Sequence, residues 1–163
     1  MRVLAGHAAV EGRVYFTGGV SALLMKWRTA TIDIDIKMVP EQDELFRALP
    51  GLKESLEINV ELAAPDQFIP PVPGWEERSP VISRQGRLTF HHYDFYSQAL
   101  AKIERGHSRD VSDVTAMLHL GLIDPRRTLD YFGQIEPELY RYPAIDPPSF
   151  RRAVEERMGG ADR

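Results

Sequence analysis

Cysteine is absent from the 163 residues, which removes disulfide staples, thiolate nucleophiles and Cys-ligated zinc. Long hydrophobic runs are missing too: no stretch approaches the ~20 apolar residues of a membrane-crossing helix, and no membrane partner is expected. Nor does one sign of charge dominate. Twenty Lys and Arg stand against 24 Asp and Glu, for a net charge of -4. They are spread evenly along the chain, so no basic arm announces nucleic acid. The amino terminus lacks the basic-then-apolar layout of a secretory signal, and a reducing cytoplasm is the expected address. What is present is ordinary for a globular chain. Hydrophobic residues make up 43% and charged residues 27%, in a length that one core usually serves.

The pattern along the chain divides near Tyr93. Val14–Thr17 is a short apolar and aromatic run ending at Gly18-Gly19, and Val20–Trp27 then reads as a short helix: strand, glycine turn, helix. In Thr31–Lys37 the residues Ile32, Ile34 and Ile36 alternate with Thr31, Asp33, Asp35 and Lys37, the period of a half-buried strand. Glu41–Leu49 suits one or two helical turns before Pro50-Gly51, and Leu56–Leu62 suits another strand. Ile69–Gly74 holds three prolines and reads as loop, with Trp75 beside it in a packed loop or a lid. Val81–Ser83 and Leu88–Phe90 read as two strands joined across Gln85-Gly86. From Asp94 onward the period becomes helical. A helix over Phe95–Arg105 ends at Gly106, a second near Arg109–Leu120 with Ser108 as its cap ends at Gly121, and Asp124-Pro125 and Asp146-Pro147 each open another. The expectation is one α+β domain over 1–163, with a mixed sheet and flanking helices in 1–93 and a packed helical part in 94–163.

The residues with most chemical content are Asp33 and Asp35. Strands are poor in Asp, and carboxylates at i and i+2 stand side by side on one face. Two such groups repel when ionised unless a cation compensates, and a hard divalent ion with oxygen ligands, Mg²⁺ or Mn²⁺, is the natural compensator. The plain alternative is a solvated strand face diluted by Thr31 and Lys37. Upstream, Gly18-Gly19 opens a helix, where backbone N–H groups can receive phosphate; the plain alternative there is a tight turn that needs glycine. A phosphate cradle one short helix away from a carboxylate pair is the layout that metal-assisted nucleotidyl transfer requires. His91 and His92 fall on opposite strand faces and cannot chelate one ion together. His107 reads as an ordinary loop histidine, and no serine has a nucleophile-elbow setting.

Gly18-Gly19-Val20-Ser21-Ala22-Leu23, followed by Arg28, Thr31 and Asp33-Ile34-Asp35, resembles the polymerase-β-type minimal nucleotidyltransferases, most closely the AbiEii-like and MenT-like toxins. The resemblance implies the nucleotidyltransferase-like fold, an NTP substrate and transfer of a nucleoside monophosphate to an RNA (a tRNA end among the options) or protein acceptor. It also implies a place in a toxin–antitoxin or phage-defence system, with a cognate antitoxin as partner. It further implies a third carboxylate on a later strand, for which Glu61 is the candidate with Asp66 in reserve. Glu61 would join Asp33 and Asp35 on the metal and orient or deprotonate the acceptor hydroxyl. Leu100–Arg105 and Arg109–Val114 resemble the lysine helix and the R-D-x-x-D helix of that branch, so the resemblance makes Lys102 catalytic and places Lys102, Arg105, Asp110 and Arg28 with Gly18, Gly19 and Ser21 around the nucleotide. Asp110 and Asp113 have a simpler use as helix first-turn acids paired with arginine.

The chain departs from the pattern in two respects. Gly19 stands where the broader motif has serine, with Ser21 near enough to substitute, and the chain is shorter than the toxins it resembles. These departures keep open a non-catalytic nucleotide-binding or antitoxin-like protein on the same fold. A third option reads the D-x-D as the nucleotide-sugar metal site of a glycosyltransferase, which the chain length opposes.

Overall fold

A computed structural model of the chain describes residues 1–160. They form an α+β structure with one five-stranded mixed sheet and flanking helices. Two compact units partition the chain: Met1–Ala64 with Ser79–Tyr93, and Pro65–Arg78 with the chain from Asp94 onward. The change of texture near Tyr93 coincides with one boundary. The excursion through Pro65–Arg78, which the sequence does not separate from its neighbours, groups with the helices that follow.

In the first unit, β1 (Gly12–Thr17) runs through Gly18 into α2 (Gly19–Leu24). β2 (Asp33–Val39) returns antiparallel to β1, α3 is Asp43–Leu56 and β3 is Asn59–Glu61. β4 (Val81–Gln85) and β5 (Leu88–His92) form a hairpin across Gly86. The sheet order is β3-β2-β1-β5-β4, with β3 parallel to β2 and β5 parallel to β1. One face of the sheet is apolar: Val14, Phe16, Ile36, Met38, Leu88 and Phe90 pack with Leu45, Leu49 and Leu52 of α3 and with Leu4 of the short helix α1 (Arg2–Ala5).

Helix α3 corrects the expectation of a stop at Pro50-Gly51, since it continues through both to Leu56. An interior proline costs about 3 kcal/mol. Burying Leu49 and Leu52, at ~1.5–3 kcal/mol each, offsets that cost, and the apolar stripe Leu45, Leu49, Leu52 carries on past the proline. Because α3 takes Leu56, β3 shrinks to three residues.

The second unit holds α4 (Trp75–Arg78), α5 (Phe95–Arg105), α6 (Ser108–His119), α7 (Pro125–Ile135) and α8 (Pro147–Gly159). Trp75 thus opens a short helix rather than lying in an irregular loop. Asp94 caps α5 by accepting from the backbone N–H groups of Tyr96 and Ser97, and it takes Arg78 Nε and Nη2 at 3.1 and 2.9 Å. Arg78 also donates to the Pro73 carbonyl at 2.7 Å, and its guanidinium lies 4.2 Å from the Tyr131 ring centroid. Those contacts account for the grouping of 65–78 with the helices. Gly106 ends α5 in the left-handed conformation, φ 70°. Asp124 and Asp146 cap α7 and α8, each followed by proline. Ser108 is the first residue of α6 rather than its cap; His107 takes the cap position without a side-chain hydrogen bond. Among the described residues no helix is long and apolar enough to cross a membrane.

Candidate functional site

The opposite face of the sheet carries the polar residues. β2 places Asp33 and Asp35 on it. The register pairs Asp33 with Asn59 and Asp35 with Glu61 on β3, and Asp35 with Thr17 on β1. Residues paired across strands share a face, so three carboxylates and one carboxamide are gathered within two strands. Asn59 Nδ2 donates both to Asp33 Oδ1 at 3.2 Å and to Glu61 Oε1 at 3.0 Å. One neutral amide therefore stands between two acids.

The glycine turn lies against these acids. Gly18 has φ 63° and ψ -130°, a conformation open to glycine and hardly to any other residue. A Cβ placed on Gly18 would lie 2.9 Å from Asp35 Oδ2. A Cβ on Gly19 would collide with Thr31 Oγ1 and lie 3.1 Å from Thr31 Cβ. Both glycines are thus required by close approach, Gly18 to the acidic strand and Gly19 to the residue leading into it. Thr31 Oγ1 donates to the Asp33 carbonyl at 3.0 Å, tying the start of β2. The hydroxyl beside the turn is therefore that of Thr31.

Ser21 does not fit the phosphate-holding expectation. It is fully buried, donating from Oγ to the Phe16 carbonyl at 3.1 Å and lying 3.0 Å from His92 Nδ1. Its hydroxyl pins α2 to the ends of β1 and β5. Burial lowers the His92 pKa, which favours the neutral ring in this contact. His91 projects from the other face, with Nδ1 3.0 Å from the Ser79 carbonyl and its ring stacked on Tyr15. The two histidines thus sit on opposite faces, as strand alternation requires. Arg28 is half-buried in the segment between α2 and β2.

In the second unit, Lys102, which the resemblance makes catalytic, is buried in an ion-pair cluster. It is only 6% exposed, as buried as Ile103 at 7%. Its Nζ lies 2.7 Å from Asp113 Oδ2 and 3.4 Å from Asp110 Oδ1. Arg105 clasps the same Asp110 through Nε at 2.8 Å and Nη2 at 2.6 Å. Two cations and two carboxylates form one cluster that joins α5 to α6. α5 is buried on nearly every side, so the amphipathic pattern gives way to an internal ion pair. Burial of Asp110 works to raise its pKa, but the hydrogen bonds and charges of Arg105 and Lys102 outweigh it and hold the carboxyl below its usual range. Asp66, the reserve acid, belongs to the second unit, where its carbonyl accepts from Tyr142 Oη at 2.9 Å.

The donor chemistry of Asp33 and Asp35 suits a hard dication: two carboxylates on one face, with the missing Cβ of Gly18 leaving room beside Asp35. Among the described residues no three carboxylate or imidazole groups cluster closely enough to cage an ion, and Glu61 Oε1 is engaged by Asn59. Asn59 is the residue to which the sequence assigned no part, and Thr31 entered only as a member of the motif and of the strand face. The available signal was an Asn within a strand, where Asn is uncommon, two positions before Glu61.

No curated protein and no solved structure matches the chain. A family model does, over residues 2–130, and that span takes in the sheet, the glycine turn, the acidic strand and the ion-paired helices α5 and α6: the chain belongs to the family described as nucleotidyltransferase of unknown function (DUF6036).

Proposed function

We propose that the protein is a divalent-metal-dependent nucleotidyltransferase that moves a nucleoside monophosphate from an NTP to an acceptor hydroxyl and releases pyrophosphate. The observation that carries this is the close approach of Asp35 to the glycine turn: a Cβ on Gly18 would lie 2.9 Å from Asp35 Oδ2, nearer than side chains pack. Acids that would grip a cation and a turn that would receive polyphosphate are adjacent at one end of the antiparallel pair β1 and β2.

In the transfer, the acceptor oxygen forms a bond to the α-phosphorus as the bond from that phosphorus to the β-bridging oxygen breaks. The hydroxyl proton passes to a carboxylate of the acidic face, and pyrophosphate carries away the leaving electron pair. Asp33 and Asp35 would hold Mg²⁺ or Mn²⁺. That ion, when bound, supplies charge neutralisation on the phosphate oxygens and lowers the pKa of the attacking hydroxyl. Gly18 and Gly19 let the triphosphate approach the backbone without side-chain obstruction. Arg28, in the same unit as the glycine turn, is the cation offered to the phosphates. Lys102 and Arg105 are already balanced by Asp110 and Asp113, so their part is tested separately through the stability of that cluster.

The likeness to AbiEii-like and MenT-like toxins supports an RNA end or a protein hydroxyl as the acceptor, and a neighbouring antitoxin as the partner. Titration calorimetry with ATP, CTP, GTP and UTP in Mg²⁺ tests the core of the proposal. Binding by the parent and its loss in Asp33→Ala/Asp35→Ala is expected. Transfer of label to RNA or protein, abolished in Asp35→Asn, is the expected activity. Absence of nucleotide binding by the parent would overturn the assignment, and binding without any labelled product would favour a non-catalytic nucleotide-binding protein.

A further inference from the structure

We infer that Asn59 is the positioning residue of the acidic site and that Glu61 acts through it, as the anchor of its amide rather than as a third metal ligand. The inference rests on the metal-dependent assignment above and deepens it.

Three geometric facts lead to it. Asp35 and Glu61 are directly paired across β2 and β3, and like charges so placed repel. The primary amide of Asn59 has two N–H donors, and they go to the two acids on its own face, Asp33 Oδ1 and Glu61 Oε1. Finally, no compact three-acid group exists among the described residues. The amide thus occupies the position between Asp33 and Glu61 that a shared cation would need. It holds them apart while donating to both.

The consequence for metal binding follows from rotamer control. Asp33 is exposed, and its carboxylate accepts the Asn59 amide through Oδ1. By taking Oδ1, the Asn59 amide sets the orientation of the group and leaves Oδ2 as the ligand oxygen. Glu61 accepts the second N–H and keeps the amide from turning over, which would present its carbonyl oxygen to Asp33. Such outer partners of a ligating carboxylate typically govern metal affinity by about 10–100-fold.

The test is Mn²⁺ binding followed by electron paramagnetic resonance and by calorimetry, so that it does not depend on turnover. Asn59→Ala should weaken Mn²⁺ about tenfold or more with an unchanged circular dichroism spectrum. Asn59→Leu, close in size and compatible with a strand, should give the same loss if the alanine variant folds poorly. Glu61→Gln should weaken Mn²⁺ no more than Asn59→Ala does, and the double variant should be no worse than Asn59→Ala alone, because both act on one contact. Parent-like Mn²⁺ affinity in both Asn59 variants overturns the inference. So does a loss in Glu61→Gln that exceeds the loss in Asn59→Ala, which would make Glu61 a ligand. If the parent and Asp35→Asn bind Mn²⁺ equally, the metal assignment itself fails, a result separable from either of these.

Discussion

Replacing Lys102 by Met separates the structural work of this lysine from any contact with substrate. The ammonium is 2.7 Å from Asp113 Oδ2, and the side chains are 7% and 2% exposed. Lys102→Met keeps most of the stem volume and removes the charge, so Asp113 keeps its burial and loses the ammonium 2.7 Å away. Asp110 is affected less, because Arg105 holds it through two short hydrogen bonds. Breaking a buried pair from one side costs about 3–5 kcal/mol. At ~2–4 °C per kcal/mol for a chain of this size, the melting temperature should fall by roughly 6–20 °C. Replacing both partners, Lys102→Met/Asp113→Leu, should recover most of that loss, since an apolar pair of similar volume carries no desolvation cost. Thermal melts by circular dichroism, with urea titrations for the free energies, measure both variants. A single variant melting within a degree or two of the parent, or a double variant no better than the single one, would refute the ion-pair account. NTP titration of the stable double variant then reads the substrate contribution of Lys102 without interference from unfolding.

Gly18→Ala should cost about 1–3 kcal/mol through its backbone conformation alone, and should also displace the Asp35 carboxylate and abolish NTP binding, which calorimetry would detect. The depressed pKa of His92 means that the unfolded chain takes up a proton that the folded chain refuses. His92 therefore contributes stability above about pH 6.5 that is lost as pH falls through the folded value. Melting temperatures between pH 7.5 and 5.5 should fall in the parent and fall less in His92→Gln. Asp110 has the same sign in a lower window: held below its usual range, it contributes stability above about pH 4 that is lost on further acidification. Asp110→Asn, less stable at neutral pH, should show a shallower loss below pH 4 in equilibrium unfolding.

The strand, glycine turn, helix and D-x-D strand were legible in the sequence because each is a local matter. Period-2 alternation sets the shared face of Asp33 and Asp35, and the Asp-Pro caps of α7 and α8 are short-range hydrogen bonds between near neighbours. The tertiary structure alone decided which of these residues are spent on the fold. Ser21 turned inward because its hydroxyl found the Phe16 carbonyl and, 71 positions along the chain, the His92 ring. Lys102 went inside because α6 brought Asp110 and Asp113 against it, which no periodicity on α5 announces. Helix α3 outlasted Pro50 because Leu52 had a core to enter. Asn59 acquired its part from a strand pairing that spans 26 positions, Asp33 to Asn59. Backbone preference and alternation act over a few residues and can be read along the chain, whereas the partner of a buried charge or a bridging amide is chosen by packing between segments distant in sequence.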